Sequence, residues 1–320
     1  MGEAALLSVS SGRGEMVETD TGALDKWRRR ATYASVAVAM MLILAKLTTY
    51  MATDAVSILS SLIDSSVDLL ASVVTLLGVA RALRPPDHTH RFGHGKAEPL
   101  AALAQAAFVA GSGVFLGYEG VGRLVDPRPV GETWLGIGVM LFAIAMTALL
   151  LGFQRFVIRR TGSMAINADS LHYSGDLFMN AAVIVALGLT AWTGWPYWDP
   201  LFALGIAGFL VWGASRIVTT ALDVLMDREL PDEDREKVKQ LVIAHRQARG
   251  LHDLRTRSTG LGQHIEFHLE LDPDLTLAQA HDITDEIERE LKAAFPIAEF
   301  AIHQEPAGLD DERLDHRITH

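Results

Sequence analysis

The chain has 320 residues, of which 49% are hydrophobic and 21% are charged, and its formal net charge is −11. The negative charge argues against nucleic acid as a partner, because binding to a phosphate backbone depends on basic residues. The sequence contains no cysteine, which excludes disulfides and thiolate zinc sites and leaves His, Asp and Glu as metal ligands. The mixture of apolar and charged residues predicts a membrane part and a separate soluble part.

The membrane part follows residues 1–25, a polar stretch that predicts a disordered cytoplasmic tail. Crossing a bilayer takes about 20 apolar residues, and six stretches of the chain reach that length. The predicted spans are Ala31–Ala52, Ser57–Leu83, Pro99–Val125, Thr133–Val157, Ser163–Gly194 and Pro200–Leu225.

Basic residues indicate the orientation of these spans. They cluster before the first span, between the second and third, and between the fourth and fifth, as in Lys26, Arg28, Arg84, Arg91, Lys96, Arg159 and Arg160. Because positive charge marks the cytoplasmic side of a membrane protein, this distribution predicts that both termini are cytoplasmic.

Two spans carry charged or titratable residues in a spacing that suits an ion. Asp64 and Asp68 lie in the second span, and His172 and Asp176 lie in the fifth. An ionised carboxylate within a span costs about 2.5–3.5 kcal/mol by insertion scales, and residues four apart share one helical face. Four such ligands on two helices suit a tetrahedral divalent cation, zinc above all. The alternative is that these residues form hydrogen bonds between helices.

Two further charges within spans, Lys46 and Glu119, fall near their outer ends. Long polar side chains at such positions reach toward the interface, so snorkelling is the interpretation that the sequence favours for both.

The connection after the second span carries Asp87, His90 and His94 at spacings of three and four. These residue types at this spacing are typical of a metal clamp on a loop, although solvated surface histidines are an alternative. The neighbouring His88 has no assigned role.

The composition changes at Asp227, where a small soluble domain begins. Its predicted elements are helix Pro231–Arg249, strand Leu251–Thr259, strand His264–Leu271, helix Thr276–Phe295 and strand Glu299–His303, followed by a disordered tail over residues 307–320. The order αββαβ predicts an α+β domain with helices on one face of a sheet.

The second predicted strand alternates strictly between apolar and polar residues. Ile265, Phe267, Leu269 and Leu271 take one face, and His264, Glu266, His268 and Glu270 take the other. With His252, His281 and His303, the polar face is a candidate metal site, and a solvated sheet surface is the alternative.

Four motifs together give the chain a resemblance to a known family. They are Asp64-x-x-x-Asp68, His172-x-x-x-Asp176, the stretch Phe92–Glu98, and the stretch Ile302–Pro306. In this order they resemble the cation diffusion facilitator family, in particular its bacterial zinc and ferrous-iron efflux branch. The resemblance covers Lys26–Pro306.

The resemblance implies a homodimeric metal/proton antiporter with a six-helix transmembrane domain at 26–226 and a cytoplasmic ferredoxin-like domain at 227–306. The implied metal ligands are Asp64, Asp68, His172 and Asp176 in a transport site, Asp87, His90 and His94 in a loop site, and His252, His268, His281, His303 and Glu305 in a cytoplasmic site. Glu305 stands where this branch has Asp, and His264 lies outside the pattern. Lys96 and Asp227 match a salt bridge between the two domains.

The function implied is export of Zn²⁺, with Cd²⁺ or Fe²⁺ as further substrates, by alternating access in a bacterial inner membrane. His172 and Asp68 are the expected proton-coupling residues, since metal and protons compete for the same ligands. Zn²⁺ is expected to be the regulatory ligand of the cytoplasmic domain as well as the substrate. The alternatives are a membrane zinc sensor without transport and a metal-dependent membrane enzyme.

Overall fold

Six long helices form the first part of the computed structural model, which describes residues 3–53, 56–126 and 134–309. Their bounds are α1 Glu3–Thr53, α2 Val56–Ala82, α3 Ala97–Val125, α4 Trp134–Thr161, α5 Met164–Thr193 and α6 Trp198–Leu225. Each of the 6 contains a stretch long and apolar enough to cross a membrane, so the predicted six-helix transmembrane domain is confirmed.

The N-terminal tail, predicted to be disordered, is helical from Glu3, and most of the predicted C-terminal tail lies outside the described residues. Helix α1 begins at Glu3, although its membrane-capable part begins only at Gly22. Residues 3–25 contain no proline, so the helix of the first span can extend backwards despite Gly12, Gly14 and Gly22, which are weak helix formers. Of the tail predicted at 307–320, residues 310–320 lie outside the described part of the chain.

The start of α5 is fixed by a cap and by a contact with α3. Gly162 has a φ of 63° and closes the turn from α4, and the Ser163 side chain then accepts a hydrogen bond from the Ile166 N–H at 3.3 Å. The same hydroxyl donates to buried Glu98 in the first turn of α3. These contacts determine where α5, which carries His172, enters the bundle.

Small residues allow the helices to approach closely. Ala102 and Ala106 of α3, Ala168 of α5 and Ala214 of α6 are all buried in one apolar cluster. A Cβ atom on Gly213 of α6 would lie 2.7 Å from the Leu171 side chain of α5. Glycine at this position leaves the Leu171 side chain undisturbed, and small residues are common at close helix contacts in membranes.

The soluble part has the predicted order of elements, αββαβ. Its elements are α7 Asp232–Ala244, β1 Gly250–Ser258, β2 Gln263–Leu271, α8 Leu277–Ala294 and β3 Ala298–Pro306. The sheet has the order β1-β2-β3; β1 and β2 are antiparallel, whereas β2 and β3 are parallel and are joined through α8. The predicted ferredoxin-like α+β class is confirmed.

The core of this domain lies between the helices and one face of the sheet. Ile265, Phe267, Leu269 and Leu271 are between 0% and 3% exposed, which confirms the alternation predicted for β2. Val238 of α7 and the apolar side of α8 pack against them. The polar residues of β2 consequently lie on the opposite face, clear of the helices.

The chain divides into two compact units, Met1–Leu222 and Asp223–His320. The division falls in the last turn of α6, close to the boundary predicted after Met226. The two units are described separately below.

Candidate metal sites

Three of the four predicted transport-site residues converge in the membrane unit. The Nε2 atom of His172 lies 2.9 Å from Asp68 Oδ1 and 3.7 Å from Asp176 Oδ2. Ligand atoms of these three residues all lie within 4.8 Å of one another, which is close enough for one ion to contact all of them. We call Asp68, His172 and Asp176 the membrane cluster.

Asp64 is the predicted ligand that stands apart from the membrane cluster. It lies one turn before Asp68 on the same face of α2, its side chain is exposed, and it is not in the group that meets within 4.8 Å. Asp64 is four residues from Asp68, so it is a neighbour of the cluster on α2 and not a member of it.

Lys46 differs from the expectation drawn from the sequence. Its ammonium group does not reach along α1 to the interface but donates to the Ser61 carbonyl oxygen at 3.1 Å and to Ser65 Oγ at 2.6 Å, both on α2. The charge interacts with the carboxylates of Asp64, Asp68 and Asp176. An amine that can reach neighbouring carboxylates gains more from them than from snorkelling, which explains the wrong expectation.

Glu119, near the end of α3, pairs with a neighbouring arginine. It pairs with Arg123 at 3.1 Å, and Arg123 also pairs with Asp199 in the first turn of α6 at 2.7 Å. This three-residue group ties α3 to α6, far along the chain from the membrane cluster.

The sequence analysis missed a buried carboxylate beside the membrane cluster. Asp169 is 1% exposed and lies three residues before His172 on α5. Its two oxygens accept hydrogen bonds from the amides of Gln105 on α3 at 3.2 Å and Gln154 on α4 at 2.7 Å. The Gln154 amide also donates to Ser35 on α1 at 3.0 Å. Asp169 therefore links four helices around the segment that carries His172.

The predicted loop site is also brought together. Ligand atoms of Asp87, His90 and His94 lie within 4.8 Å of one another. His94 Nε2 is 3.3 Å from Asp87 Oδ2, and the His90 and His94 rings are 4.6 Å apart. Gly93, with a φ of 79°, turns the chain between the two histidines.

The hydrogen bonds of this loop orient its ligands. The second ring nitrogen of His94, Nδ1, lies 3.4 Å from the Arg84 carbonyl oxygen. A carbonyl can only accept, so this contact places the proton of a neutral ring on Nδ1 and directs the lone pair of Nε2 at Asp87. A lone pair facing a carboxylate is an arrangement that a cation between them stabilises, as in metal sites whose histidines are oriented by a carbonyl.

Hydrogen bonds within the loop stabilise the ionised form of Asp87. The Thr89 hydroxyl donates to Asp87 Oδ1 at 2.7 Å, and the His90 N–H donates to the same oxygen at 2.8 Å. These hydrogen bonds, the Thr89 hydroxyl first, hold the pKa of Asp87 well below the usual value for an aspartate. A carboxylate that is ionised across the physiological range is a suitable ligand for a divalent cation.

The cytoplasmic candidates meet on the polar face of the sheet. The strand register places His252, His268 and His303 directly opposite one another on the three strands. The Glu305 carboxylate lies 2.6 Å from His268 Nδ1, 3.2 Å from His252 Nε2 and 3.4 Å from His303 Nε2. We call His252, His268, His303 and Glu305 the sheet cluster.

Glutamate at 305 reaches all three histidines of the sheet cluster. His281, by contrast, lies on α8 with its side chain 67% exposed, and its neighbouring carboxylate is Asp285 at 3.7 Å. The described contacts thus unite four of the five predicted cytoplasmic residues, and His281 is not one of them.

Two further acidic residues lie beside the sheet cluster: Glu270, which the sequence placed on the polar face of β2, and Asp253, which the sequence analysis missed. Glu270 Oε1 lies 2.9 Å from His252 Nδ1, so it orients the ring and directs Nε2 toward Glu305. Asp253 is buried, has a φ of 51° at an irregularity of β1, and forms a group within 4.8 Å with His252 and His268. A residue in the left-handed region breaks the alternation of a strand, so sequence periodicity could not place Asp253.

Three further residues named from the sequence, His264, Asp227 and Lys96, lie outside the three metal-site clusters. His264 lies 3.5 Å from Glu266, and Asp227 pairs with Arg257 at 3.2 Å within the soluble unit. The proposed salt bridge between Lys96 and Asp227 joins residues of the two units and stays a prediction.

Six membrane-capable helices with a carboxylate–histidine cluster between them define a multi-pass membrane protein equipped to handle cations. Two family models match the chain, the cation efflux transmembrane domain at residues 32–226 and the cytoplasmic domain of cation efflux proteins at residues 230–307. The chain belongs to the cation efflux family, the family that the sequence motifs indicated.

Individual relatives agree with this assignment. The chain is 46% identical over 280 residues to the cation-efflux pump FieF of Klebsiella pneumoniae and 45% identical over 280 residues to that of Citrobacter koseri; each match covers 88% of this chain and 93% of the relative. Among solved structures, the chain is similar to CzrB, a candidate zinc transporter, in its zinc form, with 40% identity, a TM-score of 0.25, and coverage of 27% of this chain and 99% of that one. The protein is thus a membrane transporter for metal cations, not an enzyme.

Proposed function

We propose that this protein is a metal/proton antiporter that exports Zn²⁺ from the cytoplasm by alternating access. The observation that supports it is the convergence of Asp68, His172 and Asp176 inside membrane-capable helices, with His172 Nε2 at 2.9 Å and 3.7 Å from the two carboxylates. Ionisable groups within a span mark an ion pathway when they face the bundle interior. Asp64, on the same face of α2, is proposed as the fourth ligand.

The ligand types favour zinc as the substrate. One imidazole with carboxylate oxygens suits Zn²⁺, with Cd²⁺ and Fe²⁺ as further candidates, better than Mg²⁺ or Ca²⁺, which prefer oxygen ligands alone. The FieF relatives are described as cation-efflux pumps and CzrB as a candidate zinc transporter, which agrees with this choice.

Competition between protons and metal at one set of atoms is the proposed basis of antiport. A metal requires a neutral His172 and ionised carboxylates, whereas a protonated His172 forms ion pairs with Asp68 and Asp176 instead. Protons that enter from outside therefore displace the metal. We expect His172→Ala to flatten the pH dependence of zinc flux between pH 6 and 8; an unchanged pH profile would show that another group carries the proton.

The sheet cluster is proposed to regulate transport in a homodimer. Zinc bound by His252, His268 and Glu305 neutralises charge on the sheet face and favours closer approach of two soluble domains, a shift of population driven by binding. The test is a pair of spin labels, one on the soluble domain of each protomer. Zinc should shorten the distance between them, and an unchanged distance at saturating zinc would remove the regulatory proposal.

The proposed orientation has both termini in the cytoplasm, in a bacterial inner membrane. The connection that carries the loop site then faces the cytoplasm, where Asp87, His90 and His94 can capture metal before it enters the bundle. Accessibility of single introduced cysteines to a membrane-impermeant reagent tests this orientation, because the chain has no native cysteine.

The central experiment is zinc flux into proteoliposomes under an imposed pH gradient. Wild type is compared with Asp68→Ala and with Glu119→Gln, a control carboxylate in a span but outside the membrane cluster. The assignment of Asp68 to the transport site is supported if wild type and Glu119→Gln transport zinc and Asp68→Ala does not. Full transport by Asp68→Ala contradicts it.

The same experiment separates the alternative functions. Tight zinc binding with no flux in any variant would favour a sensor. A metal-dependent membrane enzyme would likewise show no flux, and the chain lacks the His-Glu-x-x-His pattern of an intramembrane zinc protease.

A further inference from the structure

A groove between α5 and α6 lies outside every candidate metal site. Its volume is about 320 Å³. Leu171 and Asn167 line it from α5, and Phe209, Trp212, Arg216 and Thr220 line it from α6. The α6 residues recur at three- and four-residue steps and therefore form one continuous stripe along the helix.

The groove is polar at one end and apolar toward the other. Asn167 lies in the first turn of α5, and Thr220 lies near the end of α6, so the polar groups meet at the same end of the antiparallel pair. Leu171 and Phe209 lie about one to three turns deeper along their helices. This gradient matches a phospholipid, whose headgroup is polar and whose chains are not.

Arg216 is the charged residue of the groove. It is exposed within a membrane-capable helix, and its guanidinium carbon lies 5.3 Å from the centroid of the Trp212 ring. Within the described part of the chain no carboxylate forms an ion pair with it. An arginine in a span is costly unless an anion or water accompanies it, so its position calls for a partner from outside the chain.

We propose that this groove binds an acidic phospholipid. The lipid phosphate accepts hydrogen bonds from Arg216, the Asn167 amide and the Thr220 hydroxyl extend the polar end, and an acyl chain lies against Leu171 and Phe209. Basic pockets between transmembrane helices are a recognised way of binding acidic headgroups.

Charge complementarity favours an acidic lipid over a zwitterionic one. The groove is lined by Arg216 and by no Asp or Glu, so it offers nothing to pair with the ammonium of choline or ethanolamine.

The test is native mass spectrometry of the full chain in detergent, titrated with phosphatidylglycerol or phosphatidylcholine. Wild type is compared with Arg216→Ala and with Arg160→Ala. Arg160 is a matched control, because its guanidinium also lies over an aromatic ring, that of Phe156 at 4.4 Å, in the last turn of α4 and outside the groove. We expect Arg216→Ala to weaken phosphatidylglycerol binding roughly tenfold, since charge-assisted hydrogen bonds are lost, and Arg160→Ala to leave it unchanged.

A second measurement locates the lipid without altering Arg216. Brominated phosphatidylglycerol quenches nearby tryptophans, and Trp212 is one of 6 in the chain. The quenched fraction should fall in Trp212→Phe. The proposal would be overturned if both arginine variants weakened binding equally, if the two lipids bound equally well, or if quenching did not change in Trp212→Phe. It would also be overturned if Arg216→Ala changed the oligomeric state but not the lipid binding.

Discussion

His172 and Asp176 share a face of α5 because they are four residues apart, and Asp68 meets them from α2, whereas His252, His268 and His303 converge because three strands align them in a row. The membrane cluster is enclosed, with the His172 side chain 6% exposed; the sheet cluster is open at one side, where the His303 side chain is 65% exposed. Similar ligand types thus occur in two settings, one buried between membrane-capable helices and one on an open sheet face.

The membrane cluster and the sheet cluster differ in what fixes the positions of their ligands. Ligands on packed helices move only when helices move, so the membrane cluster is suited to a site that changes during transport. Ligands on adjacent strands are fixed by backbone hydrogen bonds, so the sheet cluster is suited to a site whose affinity stays constant. The variants below are chosen to act on one cluster and leave the other intact.

The largest effect is expected for Asp68→Asn, which keeps the size of the side chain and removes its charge. Loss of one ligand from a three- or four-ligand site should lower zinc flux more than about 100-fold, since even an altered neighbour of a ligand costs 10–100-fold. Zinc bound by the soluble domain, counted by isothermal titration of the full chain, should not change. If zinc bound there also disappears, the two clusters are not independent.

For Glu305→Ala we expect the opposite pattern, in which zinc binding by the soluble domain weakens and zinc flux continues. This carboxylate contacts three histidines, so its removal should weaken zinc binding by the soluble domain about 10–100-fold while flux at saturating zinc continues. Glu305→Asp is the matched control and keeps the charge. Unaltered zinc affinity in Glu305→Ala would show that Glu305 is not a ligand.

A smaller effect, on stability, is expected for Asp169→Ala. The variant leaves the buried amides of Gln105 and Gln154 without their acceptor, at a cost of about 1–3 kcal/mol in the free energy of unfolding. Thermal unfolding in detergent measures it, with Asp126→Ala, outside this network, as the control. An unchanged midpoint would mean that the network does not stabilise the position of α5.

The smallest effect is expected at the loop site, for Thr89→Val. The folded pKa of Asp87 lies below the unfolded value of about 3.9, so its ionised form stabilises the loop above that pH, and this stabilisation is lost as the pH falls through the folded pKa. Removing the hydroxyl should raise the Asp87 pKa toward 3.9, as measured by carbon NMR of the labelled carboxyl. Zinc binding at pH 7 should change less than about twofold, since the carboxylate remains ionised. An unmoved pKa would mean that the backbone N–H groups of residues 89 and 90, at 2.9 and 2.8 Å from Asp87 Oδ1, maintain it without the hydroxyl.

The sequence was most informative where chemistry follows helical spacing. Asp68, His172 and Asp176 were predictable because four-residue steps and apolar surroundings are both visible in the sequence. The alternation of β2 likewise predicted which side of the sheet carries His268. Asp87, His90 and His94 were predictable from their closeness in the chain.

Residues whose role depends on which helix they face were harder to predict. Asp169 stands three residues before His172, and its signal, an additional carboxylate in an apolar span, was available but was not used. Lys46 was misread because its direction depends on α2, and Arg216 was overlooked because its groove exists only after α5 and α6 pack. The ion pair of Glu270 with His252 depends on strand register, which the sequence does not state.

The parallel pairing of β2 with β3 has a consequence for how the soluble domain matures. His252 and His268 belong to a local hairpin, but His303 and Glu305 reach them only after the chain has passed through α8 and returned. Contacts of such long sequence separation form late, and β3 is translated after β1, β2 and α8. The sheet cluster is therefore complete only in a finished, folded molecule, and zinc bound at this site reports on the integrity of the newly made chain as well as on the metal content of its surroundings.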